Sequence, residues 1–210
     1  MAAFFSNLRN TVIAGFVLAL IVLVFSYVQF HNIDLASKGF WLFVIRWLHI
    51  GSGVMWIGLL WYFNFVSTPT TPSIPAELRP ALGKYITPAA LFWFRWAAMA
   101  TILFGLALAG MNGYSAQAFS LGAYNPGGEA FGNASYTLIG IGMWMGVIMW
   151  FNVWFIIWPN QQKALNIANK YPDLSADAKA ASAKTAGMFS RVNTMLSIPM
   201  LLCMAAASHL

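Results

Sequence analysis

Arg46 and His49 stand one helical turn apart inside a stretch, 40–69, that is otherwise almost wholly apolar. A charged or titratable group at membrane depth is costly and marks a functional position by default. His209 stands at the end of another apolar run, near the far end of the chain. Two neutral imidazoles on facing helices at one depth are what a six-coordinate haem b takes as axial ligands. His49 and His209 are therefore the candidate ligands of a haem or metal. Arg46, a turn nearer the surface than His49, is placed to neutralise a haem propionate. Trp47 would stack beside the porphyrin and Gly53 would leave room for it, since small residues permit close approach. Copper is the alternative metal, with Met195, Met200 and Met204 as soft donors. Counted at about 1.5 Å per residue from the span ends, His49 lies about 10 Å deeper than His209. Pro199 offers the kink that would bring both to one iron. The competing reading has His49 hydrogen-bonding a neighbouring helix and His209 as a chain-end residue.

The elements that must position these residues are membrane spans. Of 210 residues, 60% are hydrophobic and 8% charged, against roughly 25% charged in a soluble domain. The mean hydropathy is +0.69. Five apolar runs reach the length of a transmembrane helix, at about 10–30, 40–66, 89–111, 136–158 and 188–209. Short interfacial helices are expected at about 75–85 and 173–187, the second led in by Ser175 and Asp177. Pro69, Pro72, Pro75, Pro80 and Pro88 argue against a continuous helix between spans 2 and 3. Gly105-x-x-x-Ala109 and Gly142-x-x-x-Gly146 read as close-packing faces. The expected fold is an all-α integral membrane protein, a single five-helix transmembrane bundle over 1–210, with the first helix uncleaved.

Lysine and arginine set the orientation. With the N-terminus inside, Arg9, Arg79, Lys84, Lys163, Lys170, Lys179 and Lys184 fall on the cytoplasmic side and only Lys38 outside. Seven against one places the N-terminus in the cytoplasm and the C-terminus in the periplasm of a bacterial inner membrane. The net charge of +6 is spread over loops beside the spans, which argues against a nucleic-acid partner and leaves membrane lipid as the expected one. Arg95, near the inner end of span 3, reads as a snorkelling side chain.

Several chemistries are set aside. No lysine lies within a span, which excludes a retinal Schiff base. No carboxylate lies there either, which disfavours a proton relay or a cation-coupled permease. No phosphate loop, H-E-x-x-H or serine elbow is present. Cys203 is the only cysteine and reads as a packing residue. His31, in the loop after span 1, reads as an interfacial histidine.

Certain segments carry a family likeness. They are Arg46-Trp47-Leu48-His49-Ile50, Trp56-Ile57-Gly58, Trp61 to Val66, Phe151-Asn152-Val153-Trp154 and Trp158-Pro159-Asn160-Gln161. The series closes with Arg191-Val192-Asn193-Thr194, Ser197-Ile198-Pro199-Met200 and Ala205 to His209. Over about 40–209 the sequence resembles the N-terminal membrane domain of the bacterial urate hydroxylase (urate oxidase N-terminal domain) family. Longer members add a C-terminal cytochrome c domain, and the resemblance implies urate oxidation. This sequence has no C-x-x-C-H, so it resembles a short form whose electron acceptor is a separate cytochrome c. The expected function is an inner-membrane redox or electron-transfer subunit binding haem b and oxidising urate or another small reductant. The alternative is a non-catalytic accessory or assembly subunit, packed against other membrane subunits or copies of itself through its small-residue faces.

Overall fold

The computed structural model describes residues 6–30, 34–124 and 128–207, with Phe30 described by its backbone alone. Of the described residues 84% are helical, and none is in a strand. Five helices are long and apolar enough to cross a membrane: α1 (Leu8–Phe30), α2 (Lys38–Ser73), α3 (Arg79–Asn112), α5 (Ala134–Leu165) and α6 (Ala176–Ala206). A short α4 (Ser115–Phe119) lies in the loop before α5.

The chain divides into two compact units, Met1–Phe43 and Val44–Leu210. The first holds α1, whose start is capped by the Asn7 side chain on the Arg9 amide at 3.0 Å. No described side chain of α1 is buried. It is apolar throughout 12–25, and nothing approaches the Cβ position of its one glycine, Gly15. Such a helix makes no demand for a protein neighbour, because lipid tails are as apolar as its side chains. Asp34 then folds the chain into a turn, and the Ser37 hydroxyl receives the Phe40 amide at 3.2 Å, capping the start of α2.

In the second unit α2, α3, α5 and α6 share one core. Its centre is Trp56 and Leu60 of α2, Phe94 and Ala98 of α3, Met149 and Val153 of α5, and Ala186 and Met200 of α6. Glycines set the closest approaches. A Cβ on Gly142 would lie 3.1 Å from Cβ of Cys203, and one on Gly146 3.9 Å from Cδ1 of Ile102. The Gly142-x-x-x-Gly146 face is thus spent inside the chain, one glycine on α6 and the other on α3. Gly140 sits directly against the Ala118 carbonyl, which seats α4 on α5.

The helices run longer than the prolines suggest. Span 2 continues to Ser73, span 3 begins at Arg79 as one rod with the expected interfacial helix, and span 4 continues to Leu165. Of the expected segment 173–187, the part from Ala176 onward likewise joins span 5 in one helix, capped by Ser175, whose hydroxyl accepts the Ala178 amide. At three prolines one device recurs: a π-helical turn, one further residue, then the proline. The turns are Tyr62–Ser67 before Pro69, Leu82–Ile86 before Pro88, and Asn152–Ile157 before Pro159. A proline lacks an N–H, and its ring collides with the carbonyl four residues earlier in an α-helix. Those carbonyls, of Phe65, Lys84 and Phe155, lie inside the widened turns. The widening relieves the collision, and the rod continues.

Candidate functional site

His49 faces α3. Its Nδ1 lies 2.9 Å from the carbonyl oxygen of Thr101. A carbonyl can only accept, so Nδ1 carries the hydrogen and Nε2 keeps its lone pair. The Thr101 hydroxyl turns back onto the Ala97 carbonyl at 2.7 Å, leaving its own carbonyl to the histidine. The ring rests on Gly105, where a Cβ would stand 2.9 Å from Cε1 and 3.2 Å from Nδ1 of His49. One turn inward, the Cβ position of Gly53 is 3.8 Å from the Thr101 methyl. His49 and Gly53 therefore form one antiparallel seam with Thr101 and Gly105. Gly53 serves that helix contact, while Gly51 and Gly58 face open space.

The remaining candidates divide. Arg46 is exposed, on the same face of α2 as His49 and Gly53 by helical spacing. Trp47 is 46% exposed, a quarter-turn round the helix from Arg46. His209 and His31 lie outside the described residues. Among the three methionines proposed for copper, Met195 is 63% exposed while Met200 is 6% exposed. Met204 meets Gly142 beside Cys203, so Met195 faces away from the pair that shares the interior. No group of three or more His, Cys, Asp or Glu that could hold a metal ion occurs among the described residues. The anchored imidazole of His49 suits an axial haem ligand.

Arg46 has an outer neighbour in Tyr114, at the turn between α3 and α4. Burial pushes the Tyr114 phenol above its ordinary value, and the Arg46 charge works against that rise. Folding therefore disfavours the phenolate, and the folded chain holds a proton that the unfolded chain releases above about pH 10. Stability is expected to be unaffected by Tyr114 at neutral pH and to fall as pH rises past that value. A chemical-unfolding series from pH 8 to 11 tests this; Tyr114→Phe should fall less steeply than wild type, and parallel curves would refute it.

A second polar cluster joins α6 to its neighbours. The Asn152 amide donates to Oδ1 of Asn193 at 2.8 Å, and the Asn193 amide to the Met149 carbonyl at 2.9 Å. Trp61 Nε1 donates to the Ser197 hydroxyl at 2.9 Å, and the Asn64 amide to the Ser190 hydroxyl at 2.8 Å. Asn193 and Ser197 are fully buried. These side chains hold helices together. Buried without any partner among the described residues are Nε1 of Trp56, Trp150 and Trp154, Nε of Arg95, and Oε1 of Gln117. No family model, curated protein or solved structure matches the chain.

Proposed function

We propose that this chain is a multi-pass electron-transfer subunit of a bacterial inner membrane, holding haem b in its outer half through His49. The observation that carries the reading is the anchored imidazole: Nδ1 is held by the Thr101 carbonyl, and no hydrogen bond from Nε2 occurs among the described residues. A backbone carbonyl on the far nitrogen is the usual second partner of a ligating histidine, fixing its tautomer and orientation.

His209, which lies outside the described residues, is the other ligand in this reading. Helices α2 and α6 are antiparallel, with Trp61 bonded to Ser197 and Asn64 to Ser190. Twelve residues separate His49 from Trp61, and twelve separate Ser197 from His209. Counted from that shared contact, His49 lies twelve residues away along α2, about 18 Å at the helical rise, while α6 is described as far as Ala206. Arg46, a turn further out, is the partner for a propionate. The cytoplasmic N-terminus rests on the lysine and arginine bias, and urate as reductant, with a separate cytochrome c as acceptor, on the family likeness. Bound haem would supply one-electron transfer; the chain's part is to hold and orient it.

A reduced-minus-oxidised spectrum of the purified protein is expected to show a b-type band that His49→Ala abolishes or shifts, with copper analysis on the same sample. Folded wild-type protein without the band would overturn the haem reading. It would leave an accessory subunit in which the His49–Thr101 bond only fastens two helices. That role would not use the Gly142 and Gly146 face, which the chain's own helices already cover.

A further inference from the structure

Arg95 is the one ionisable residue deep in α3, and it is held by tryptophans. Its guanidinium carbon lies 3.8 Å from the ring centroid of Trp158, 5.2 Å from Trp154 and 5.8 Å from Trp96. Trp96 and Trp154 meet edge to face at 5.4 Å, closing the cleft between α3 and α5. Arg95 forms no ion pair or hydrogen bond among the described residues, and its Nε and the Nε1 of Trp154 are both buried without an acceptor. An arginine keeps its charge at any accessible pH. Ring faces satisfy that charge in part, but they leave the N–H edge of the fork unused. Buried donors without acceptors are costly, so the cleft calls for an anionic oxygen ligand.

Depth and access indicate which one. The same end of α3 and α5 is marked by Gly83, whose Cβ position is 3.3 Å from Cδ2 of Leu165. Trp158 is seven residues in from Leu165, about 10 Å along the helix. The 34 residues of α3 span about 51 Å, so the rod overshoots a roughly 30 Å hydrocarbon core by about 10 Å at each end. With Leu165 level with Gly83, four residues in from Arg79, the guanidinium stands about 16 Å from that end of α3, about 6 Å inside the edge of the hydrocarbon core. Trp96 is 48% exposed and its neighbours Phe92 and Trp93 are exposed as well, so the cleft opens toward the acyl chains. Lys84 lies on the same face of α3, three turns nearer the end.

We infer that the Arg95–Trp158 cleft binds the phosphodiester of an anionic phospholipid, in the leaflet bordering the lysine-rich end of the second unit. The fork takes the phosphate oxygens, and the exposed aromatic face of α3 lies along an acyl chain. Basic pockets between membrane helices hold lipid headgroups in this way. The inference requires only that these helices cross a membrane; it is independent of haem.

Delipidated full-length protein in non-ionic detergent would be titrated with phosphatidylglycerol, phosphatidylcholine or inorganic phosphate, with bound lipid read by native mass spectrometry and stability by thermal unfolding. Phosphatidylglycerol is expected to be retained about tenfold better than phosphatidylcholine and to raise the unfolding temperature. Arg95→Gln should reduce its retention to the phosphatidylcholine level. Equal retention of the two lipids by wild type, unchanged retention by Arg95→Gln, or equal stabilisation by inorganic phosphate alone would each overturn the site. Should Arg95→Gln fail to fold, the wild-type comparison of the two lipids and phosphate decides.

Discussion

Gly105→Ala is expected to push the His49 imidazole off the Thr101 carbonyl. A methyl at that position would stand 2.9 Å from Cε1, and the ring cannot retreat while Nδ1 is bonded at 2.9 Å. Overpacking of this kind costs about 1–3 kcal/mol, and the lost interhelical bond adds about 0.6 kcal/mol in a membrane. Unfolding in mixed micelles would read the loss. Pairing Gly105→Ala with His49→Ala should cost less than the two single changes summed, because removing the ring removes the collision. Additive losses would show that Gly105 does not seat the imidazole. If haem is bound, Gly105→Ala should also disturb its spectrum while leaving Nε2 chemically intact.

Asn193→Leu is expected to destabilise the second unit by about 2 kcal/mol. Asn193 is fully buried and bridges two groups of α5, accepting from Asn152 and donating to the Met149 carbonyl. Leucine has a similar volume but leaves the Asn152 amide in the core without an acceptor, and an orphaned polar group costs more than the bond was worth. Asn152→Leu combined with Asn193→Leu should recover much of the loss, since removing both partners leaves no orphan amide. A neutral single mutant, measured by the same unfolding assay, would show that packing alone holds α5 to α6.

The five spans could be read from the sequence because apolar length is a property of the residues themselves. Their ends could not, because proline carries two meanings. At Pro69, Pro88 and Pro159 it reads as a terminator, yet a π turn just before it lets each helix continue. That turn has no residue signature of its own. Helix α4 was hidden in a glycine-rich loop because its anchor is Gly140 meeting the Ala118 backbone. At the site, His49 stood out as an ionisable group in an apolar run, whereas its partner is a backbone carbonyl, which any residue could have supplied. Gly105 was legible as a packing glycine but not as the seat of an imidazole, since spacing along α3 says nothing about which residue of α2 lies opposite. Asn152 and Asn193 were visible as polar residues in apolar runs; their pairing needed the register of α5 against α6. Arg95 read as a snorkelling side chain, and it does reach toward the helix end, where it stops against Trp158.

The π turns also bear on how this chain is compared with any other. A π turn contains one more residue than the α-helical path it replaces. A homologue lacking one residue within Tyr62–Ser67, Leu82–Ile86 or Asn152–Ile157 could therefore keep every side chain before and after the gap on its present face. Elsewhere in these rods a single deletion would rotate all that follows by about 100°. A gap of one residue placed just ahead of Pro69, Pro88 or Pro159 in an alignment should therefore be read as the same helix drawn more tightly.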